Sequence, residues 1–199
     1  MTENPWKAYS ERTKDQPPRS LLVEAMPLVT SKDAALDLGP GALNDSKYLL
    51  DQGFAKVIAV NKDPLNTDPV AEARAAIFPD DRFTYTVSSF ENFDFKPAMY
   101  DLINAQYALP FTSPGEFKLM MSQLVASLKP GGIFTGQFFG PEDEWNDGSN
   151  TKTFVTVEEV EKLLADCEIV HREEAKGKDP RAFGGPKKWH VLHIIARKK

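Results

Sequence analysis

The chain has 199 residues, 41% of them hydrophobic and 27% charged, with a formal net charge of −5. That length supports one sizeable core, and the acidic balance argues against nucleic acid as the main partner. No apolar run reaches the roughly 18 residues of a membrane span, and the lone cysteine, Cys167, excludes an internal disulfide and fits a reducing, cytoplasmic setting.

Residues 1–19 are polar, with Trp6, Tyr9 and Arg12 set before Pro17-Pro18-Arg19. The prolines stop any helix ahead of them. This segment reads either as a surface arm that packs its rings on the domain or as a lid over a pocket. The domain proper begins at residue 20, with an apolar stripe that predicts a helix over 20–29.

A short strand follows over 33–38 and ends in Asp37-Leu38-Gly39-Pro40-Gly41. A helical pattern then starts at Asn44 or Asp45. Gly39 allows unusual turn angles, and Gly41 lets the backbone approach a ligand closely. Asn44 or Asp45 suits an N-cap at a helix start that offers free N–H groups. The plan is that of a nucleotide-binding βα unit, although a glycine-rich turn that binds nothing reads the same way. The dinucleotide fingerprint needs a third glycine where Asn44 stands, and the phosphate-cradling lysine motif is absent.

The next strand, over 55–61, is nearly all apolar, as in a parallel sheet buried on both faces. It ends at Asn61-Lys62, where nucleotide folds commonly carry an acid for the ribose hydroxyls. An Asn carbonyl accepts such a hydrogen bond without the charge. A helix over 68–78 and a strand over 83–87 lead to Ser88-Ser89-Phe90, whose serines also suit a plain turn. The strand from Tyr100 exits through Gln106-Tyr107, at the carboxyl end where ligands bind in open α/β sheets. Tyr107 reads as a pocket wall or as a half-buried core residue.

Residues 113–128 form an amphipathic helix. Leu128-Lys129-Pro130-Gly131-Gly132 then turns the chain into a strand over 133–139. The acidic loop 140–148 carries Trp145, which is either solvated or an acceptor-side wall. Thr156 and Glu159 form a capping box for a helix over 156–166. Strands over 168–173 and 189–197 close the chain, joined by a basic, glycine-rich linker over 175–188. His190 and His193 fall on opposite faces of the last strand, so a two-His metal site there is excluded.

Asp37-x-Gly39-x-Gly41, the Tyr100–Phe111 strand exit and the Leu-Lys-Pro-Gly-Gly turn resemble the class I methyltransferases that use S-adenosylmethionine. Leu43 replaces the last glycine of their first motif, and Asn61 replaces their usual acid. The N-terminal Trp6-x-x-Tyr9-x-x-Arg12 and the ending Trp189-His190-Val191 to Arg197 are similar to the small tellurite-resistance-like branch. The resemblance implies a Rossmann-like α/β fold, a seven-stranded mostly parallel sheet with an antiparallel last strand and helices on both faces. It implies S-adenosylmethionine at Asp37, Gly39, Gly41, Asn44, Asn61, Lys62, Ser88, Ser89, Phe90 and Gln106, with a serine near the adenine amino group. Trp6, Arg12 and Trp145 are then acceptor-side candidates. Tyr9, Tyr107 and His190 are candidate bases, needed only for an unactivated O–H or N–H. The expected reaction is methyl transfer to a small molecule, with no metal, membrane or nucleic acid involved. The alternatives are a ligand-binding protein of the same fold without catalysis, motivated by Leu43 and Asn61, and an NAD-linked enzyme. The oligomeric state is not legible.

Overall fold

Seven strands form where runs of apolar and β-branched residues predict them: β1 (Ala34–Leu38), β2 (Lys56–Asn61), β3 (Phe83–Val87), β4 (Tyr100–Ala105), β5 (Leu128–Phe139), β6 (Cys167–Asp179) and β7 (Lys187–Lys198). These come from a computed structural model that describes residues 5–79, 81–179 and 186–199. The strand order is β3-β2-β1-β4-β5-β7-β6. Strands β3, β2, β1, β4 and β5 pair in parallel, and β7 runs antiparallel to both β5 and β6. The expected Rossmann-like sheet is therefore present. Its strand order reverses between β1 and β4, which opens a crevice at their carboxyl ends.

Among the described residues six α-helices flank the sheet: α1 (Pro5–Thr13), α2 (Ser20–Ala25), α3 (Asn44–Asp51), α4 (Pro69–Ala75), α5 (Pro114–Ser127) and α6 (Val157–Leu163). Alternation along the strands gives each face its own core. Leu36, Leu38, Ile103 and Phe134 pack under α5, against Phe117, Met120 and Leu124. Ala35, Val57, Ala59 and Leu102 pack on the other face with Leu22, Leu49 and Phe54. Ile133 and Ile195 extend that second face beneath Leu21 and Ala25 of α2.

The same alternation places Asp37, Asn104, Gln106, Thr135 and Gln137 on the α2 face, nearer the strand ends. All five are buried. A band of buried polar side chains therefore lies beneath the crevice, on a face that is otherwise apolar.

Several boundaries differ from the sequence reading. Residues 5–13 are helical, and the chain leaves the helix before the prolines. Pro27 reduces the end of the 20–29 helix to a 3-10 turn. The 68–78 helix ends at Ala75, with Asp68 as N-cap accepting from the Val70 and Ala71 N–H groups. The Leu-Lys-Pro-Gly-Gly segment belongs to β5, whose register with β4 jumps from Tyr100–Leu128 to Leu102–Ile133. Lys129 there ties Asp33 to Asp101. β6 continues to Asp179, longer than the expected 168–173, because a charged edge strand carries little apolar signal. The middle of the basic linker, 180–185, lies outside the described residues. No helix among the described residues is long and apolar enough to cross a membrane.

Candidate functional site

The turn after β1 is built on left-handed backbone. Gly39 has φ +70, Gly41 φ +51 and Leu43 φ +60. Leu43 takes the left-handed conformation that glycine adopts without strain, and its fully buried side chain offsets the strain. A Cβ on Gly39 would lie 2.7 Å from the Ala108 Cβ and 3.6 Å from Phe90. Phe90 thus packs against the turn from the β3 side. A Cβ on Gly41 would lie 3.4 Å from the ring of Tyr9.

A narrow cleft of ≈ 20 Å³ meets this turn at Gly41, lined by Lys7, Gly41, Asn61, Asp63, Asp68 and Tyr85. Asn61 sits at the end of β2, as expected. Lys62 is exposed and does not line the cleft, whereas Asp63 does. An acid does stand two residues later, at Asp63 on the cleft, where the Tyr85 hydroxyl fixes the local backbone by donating to the Asp63 carbonyl (2.9 Å). Ser88 donates its amide to the Asn61 carbonyl and its hydroxyl to the Ser89 carbonyl, and the Ser89 hydroxyl accepts from Asn92. Both serines therefore serve the turn beside the cleft.

Helix α1 roofs the cleft. The Ser10 hydroxyl donates to Asp68, Asn44 Nδ2 donates to the Thr13 carbonyl at 2.7 Å, and Arg74 donates both to Asn44 and to the Lys14 carbonyl. Asn44 opens α3 without a capping hydrogen bond; its side chain serves to hold α1 in place. Arg12 is exposed in the last turn of α1. The Trp6 side chain lies outside the described residues.

Beneath the turn is a buried polar network. Asp37 accepts from the Ser46 hydroxyl at 2.5 Å and from Asn104 Nδ2 at 2.8 Å. Asn104 Nδ2 also reaches Asp45, which accepts the Arg19 backbone N–H at 2.9 Å. Burial, then the neighbouring Asp45 charge, pushes the Asp37 carboxyl up to about 7. Burial likewise raises Asp45. From Asn104 the chain of bonds continues through Gln106 to Gln137, whose Oε1 accepts the Tyr107 N–H at 2.9 Å. Gln106 is thus part of the buried frame, and Gln137 secures Tyr107 in a left-handed backbone of φ +55.

Tyr107 occupies the rim of the strand ends. Trp189 and His193 meet its ring edge-on, with centroids at 6.2 and 6.4 Å, and the Arg19 guanidinium lies 5.3 Å from its centroid. Arg19 also donates to the Tyr9 hydroxyl. Burial pushes the Tyr107 phenol up and holds the His193 imidazole below its ordinary value. Arg19 thus links Tyr9 to Tyr107.

His190 is placed elsewhere. Its Nδ1 accepts the Glu142 N–H at 3.1 Å, and Nε2 faces Glu174 at 2.8 Å. Both nitrogens are engaged in joining the 140–148 loop to the β6–β7 pair. Trp145 packs on Phe111, Phe139 and Trp189, around the buried Lys187 ammonium that pairs with Asp143. That ammonium lies 3.6 Å from the Trp189 centroid and 4.1 Å from that of Trp145. Trp145 thus reaches Tyr107 through Trp189. Sequence reasoning passed over Asp45, Asp63, Asn104, Gln137, Lys187 and His193 as site residues. Period-2 alternation could have found Asn104 and Gln137, since both interrupt apolar strands. No group of three or more metal-ligating side chains occurs among the described residues.

Residues 35–132 match a family model described as a methyltransferase domain. Among proteins of curated function, none matches the chain in sequence. Solved structures share the fold at low identity. Burkholderia thailandensis 1,6-didemethyltoxoflavin-N1-methyltransferase, with its substrate and S-adenosylhomocysteine bound, is 23% identical over 90% of this chain and 79% of its own, with a TM-score of 0.64. TehB from Haemophilus influenzae is 18% identical over 96% and 66%, at 0.74. The N-methyltransferase NodS from Bradyrhizobium japonicum, in complex with S-adenosylhomocysteine, is 14% identical over 98% and 99%, at 0.68. The sheet order, the glycine turn and the matched segment, just under half of the chain, give it the fold shared by these methyltransferases.

Proposed function

We propose that the chain methylates a small-molecule acceptor, with the cofactor along the Gly39–Gly41 turn and the acceptor over Tyr107. The observation that carries this reading is the position of Tyr9. Its ring rests on Gly41 and its hydroxyl is held by Arg19, whose guanidinium lies over Tyr107, so one side chain spans the two halves of the site. The residues present fit the cofactor. Asn61 and Asp63 offer oxygen acceptors for hydroxyl groups in the cleft, and Gly41 leaves its backbone open to close approach.

The cofactor supplies a methyl group already activated on a sulfonium. The protein's part is to align the acceptor and exclude water, an effect worth about 7–11 kcal/mol of barrier in well-oriented systems. The left-handed Tyr107, secured by Gln137, fixes one wall. Helix α1 closes the other, so residues 1–19 act as the lid. Gly41, Asn61 and Asp63 would hold the cofactor so that its methyl group could meet an acceptor lone pair between these walls. Where the acceptor atom carries a proton, Tyr9 and Tyr107 are the nearest of the expected bases. His190 is too fully engaged to share that role. The aromatic N-terminal arm, the chain ending and the likeness to TehB support a place beside the tellurite-resistance-like branch, in the cytoplasm.

The test is an incubation of the protein with S-adenosylmethionine and pooled small-molecule acceptors, followed by mass spectrometry. A methylated product with stoichiometric S-adenosylhomocysteine supports the reading. Methylation confined to added nucleic acid or protein contradicts it.

A further inference from the structure

We infer that Arg19 is the specificity residue of the acceptor site, and that the acceptor is a small planar acid whose anionic group takes the guanidinium in place of the Tyr9 hydroxyl. The inference rests on the proposed function and names the substrate class of that same site.

Other arginines in the molecule find carboxylates or backbone carbonyls. Arg172 pairs with Glu161 and Arg197 with Glu168, while Arg74 and Arg82 bind backbone carbonyls. Arg19 does neither. It has five N–H donors, and among the described residues its guanidinium makes a single hydrogen bond, to a neutral phenol. No carboxylate among the described residues comes within ion-pair distance of it.

Its placement is nonetheless fixed. The Arg19 backbone N–H is anchored on Asp45, inside the network that holds Asp37. From there the side chain reaches over the Tyr107 ring at the carboxyl ends of the strands. A half-buried guanidinium with no ion pair among the described residues, fixed over an aromatic ring, is suited to an anion, because its planar fork matches a carboxylate bidentately.

The shape of the ligand follows from the walls. Tyr107, Trp189 and His193 meet at 71° and 85° between ring planes. Such edge-to-face surfaces accept a flat ring better than a branched aliphatic chain. Tyr9 is the internal stand-in: a flat ring against Gly41 with its oxygen on Arg19. A carboxylate makes a charge-assisted bond there, roughly twice as strong as the neutral one it displaces. Glu173, paired with His193 across β6 and β7, is the acid that bears on the same ring. It disfavours a dianion and leaves the single negative charge to Arg19.

The test uses the full chain and calorimetry with benzoate, salicylate, 2-naphthoate and indole-3-carboxylate, against benzamide and benzylamine. Each probe is titrated with and without S-adenosylhomocysteine, into the wild type, Arg19→Met and Arg19→Lys. Arg19→Met keeps the stem but removes the charge; thermal unfolding checks that it is folded. The expected result is binding of at least one acid to the wild type, weakened about tenfold or more in Arg19→Met and partly restored in Arg19→Lys. Benzamide and benzylamine bind far more weakly. Binding of no acid, equal binding of benzamide, or unchanged acid binding by a folded Arg19→Met overturns the inference. Failure of S-adenosylhomocysteine alone to bind counts against the proposed function, while the acid titrations without it still read Arg19.

Discussion

Asp37 illustrates how much a single residue carries. It stands one residue before the end of β1, accepts from Ser46 and Asn104, and shares the Asn104 amide with Asp45. Its carboxyl is pushed up to about 7 by burial and by that neighbour. A raised folded-state value means that the folded protein binds the proton more tightly than the unfolded chain. The stabilisation from protonated Asp37 is therefore fully present below its ordinary range near 4. It falls as pH rises through about 7 and is lost above. Asp37→Asn, which mimics the protonated acid, is expected to flatten this fall, read by urea unfolding at pH 5 and pH 8. An equal decline in both proteins would rule Asp37 out as the cause. Asp63 makes the second residue-scale prediction. Asp63→Ala is expected to weaken S-adenosylhomocysteine binding by about 1.5–3 kcal/mol, the usual worth of a hydrogen bond to a charged group. Calorimetry that shows no change would leave Asn61 alone as the hydroxyl acceptor. The sequence pointed to Asn61 because spacing from the glycines counts residues. It could not show that the chain curls so that Asp63, two residues on, faces the same cleft.

At the scale of the element, α1 decides access. Contacts that hold it include Ser10 to Asp68, Thr13 to Asn44 and Tyr9 to Arg19, with Lys14, just beyond it, bound to Arg74. The cleft it roofs, at ≈ 20 Å³, is far below the roughly 300–1,000 Å³ typical of small-molecule sites. If the cofactor sits there as proposed, α1 has to lift for entry and close again for turnover. Deletion of residues 1–16 is expected to leave a folded protein that associates faster with S-adenosylhomocysteine in stopped flow and turns over little. Unfolding, or an unchanged association rate, would place α1 in the core instead. The sequence indicated an aromatic arm or lid but not the helix, since Trp6, Tyr9 and Arg12 were set against two prolines that stop helices. Those prolines lie beyond Thr13 and act on the connection to α2.

At the scale of the whole molecule, the sheet was legible and the acceptor side largely was not. Parallel strands buried on both faces declare themselves as continuous apolar runs, so β1, β2 and β4 fall within a residue or two of expectation. The long β6–β7 hairpin was underestimated because an edge strand of alternating Glu, Arg and Lys resembles a solvated linker. The cofactor turn is local in sequence, and local motifs can be read. The acceptor wall is assembled from Arg19, Tyr107, Trp189 and His193, on three separate segments that only the sheet brings together. His190 rather than His193 was named because neither periodicity nor spacing says which face of an antiparallel strand meets the crevice. The central claim is that the glycine turn after β1 seats the cofactor. Calorimetric titration of S-adenosylhomocysteine into the wild type and into Gly41→Val, with circular dichroism as the check on folding, tests it most directly. The account predicts measurable binding by the wild type and none by the folded variant; equal affinity in the two would contradict it.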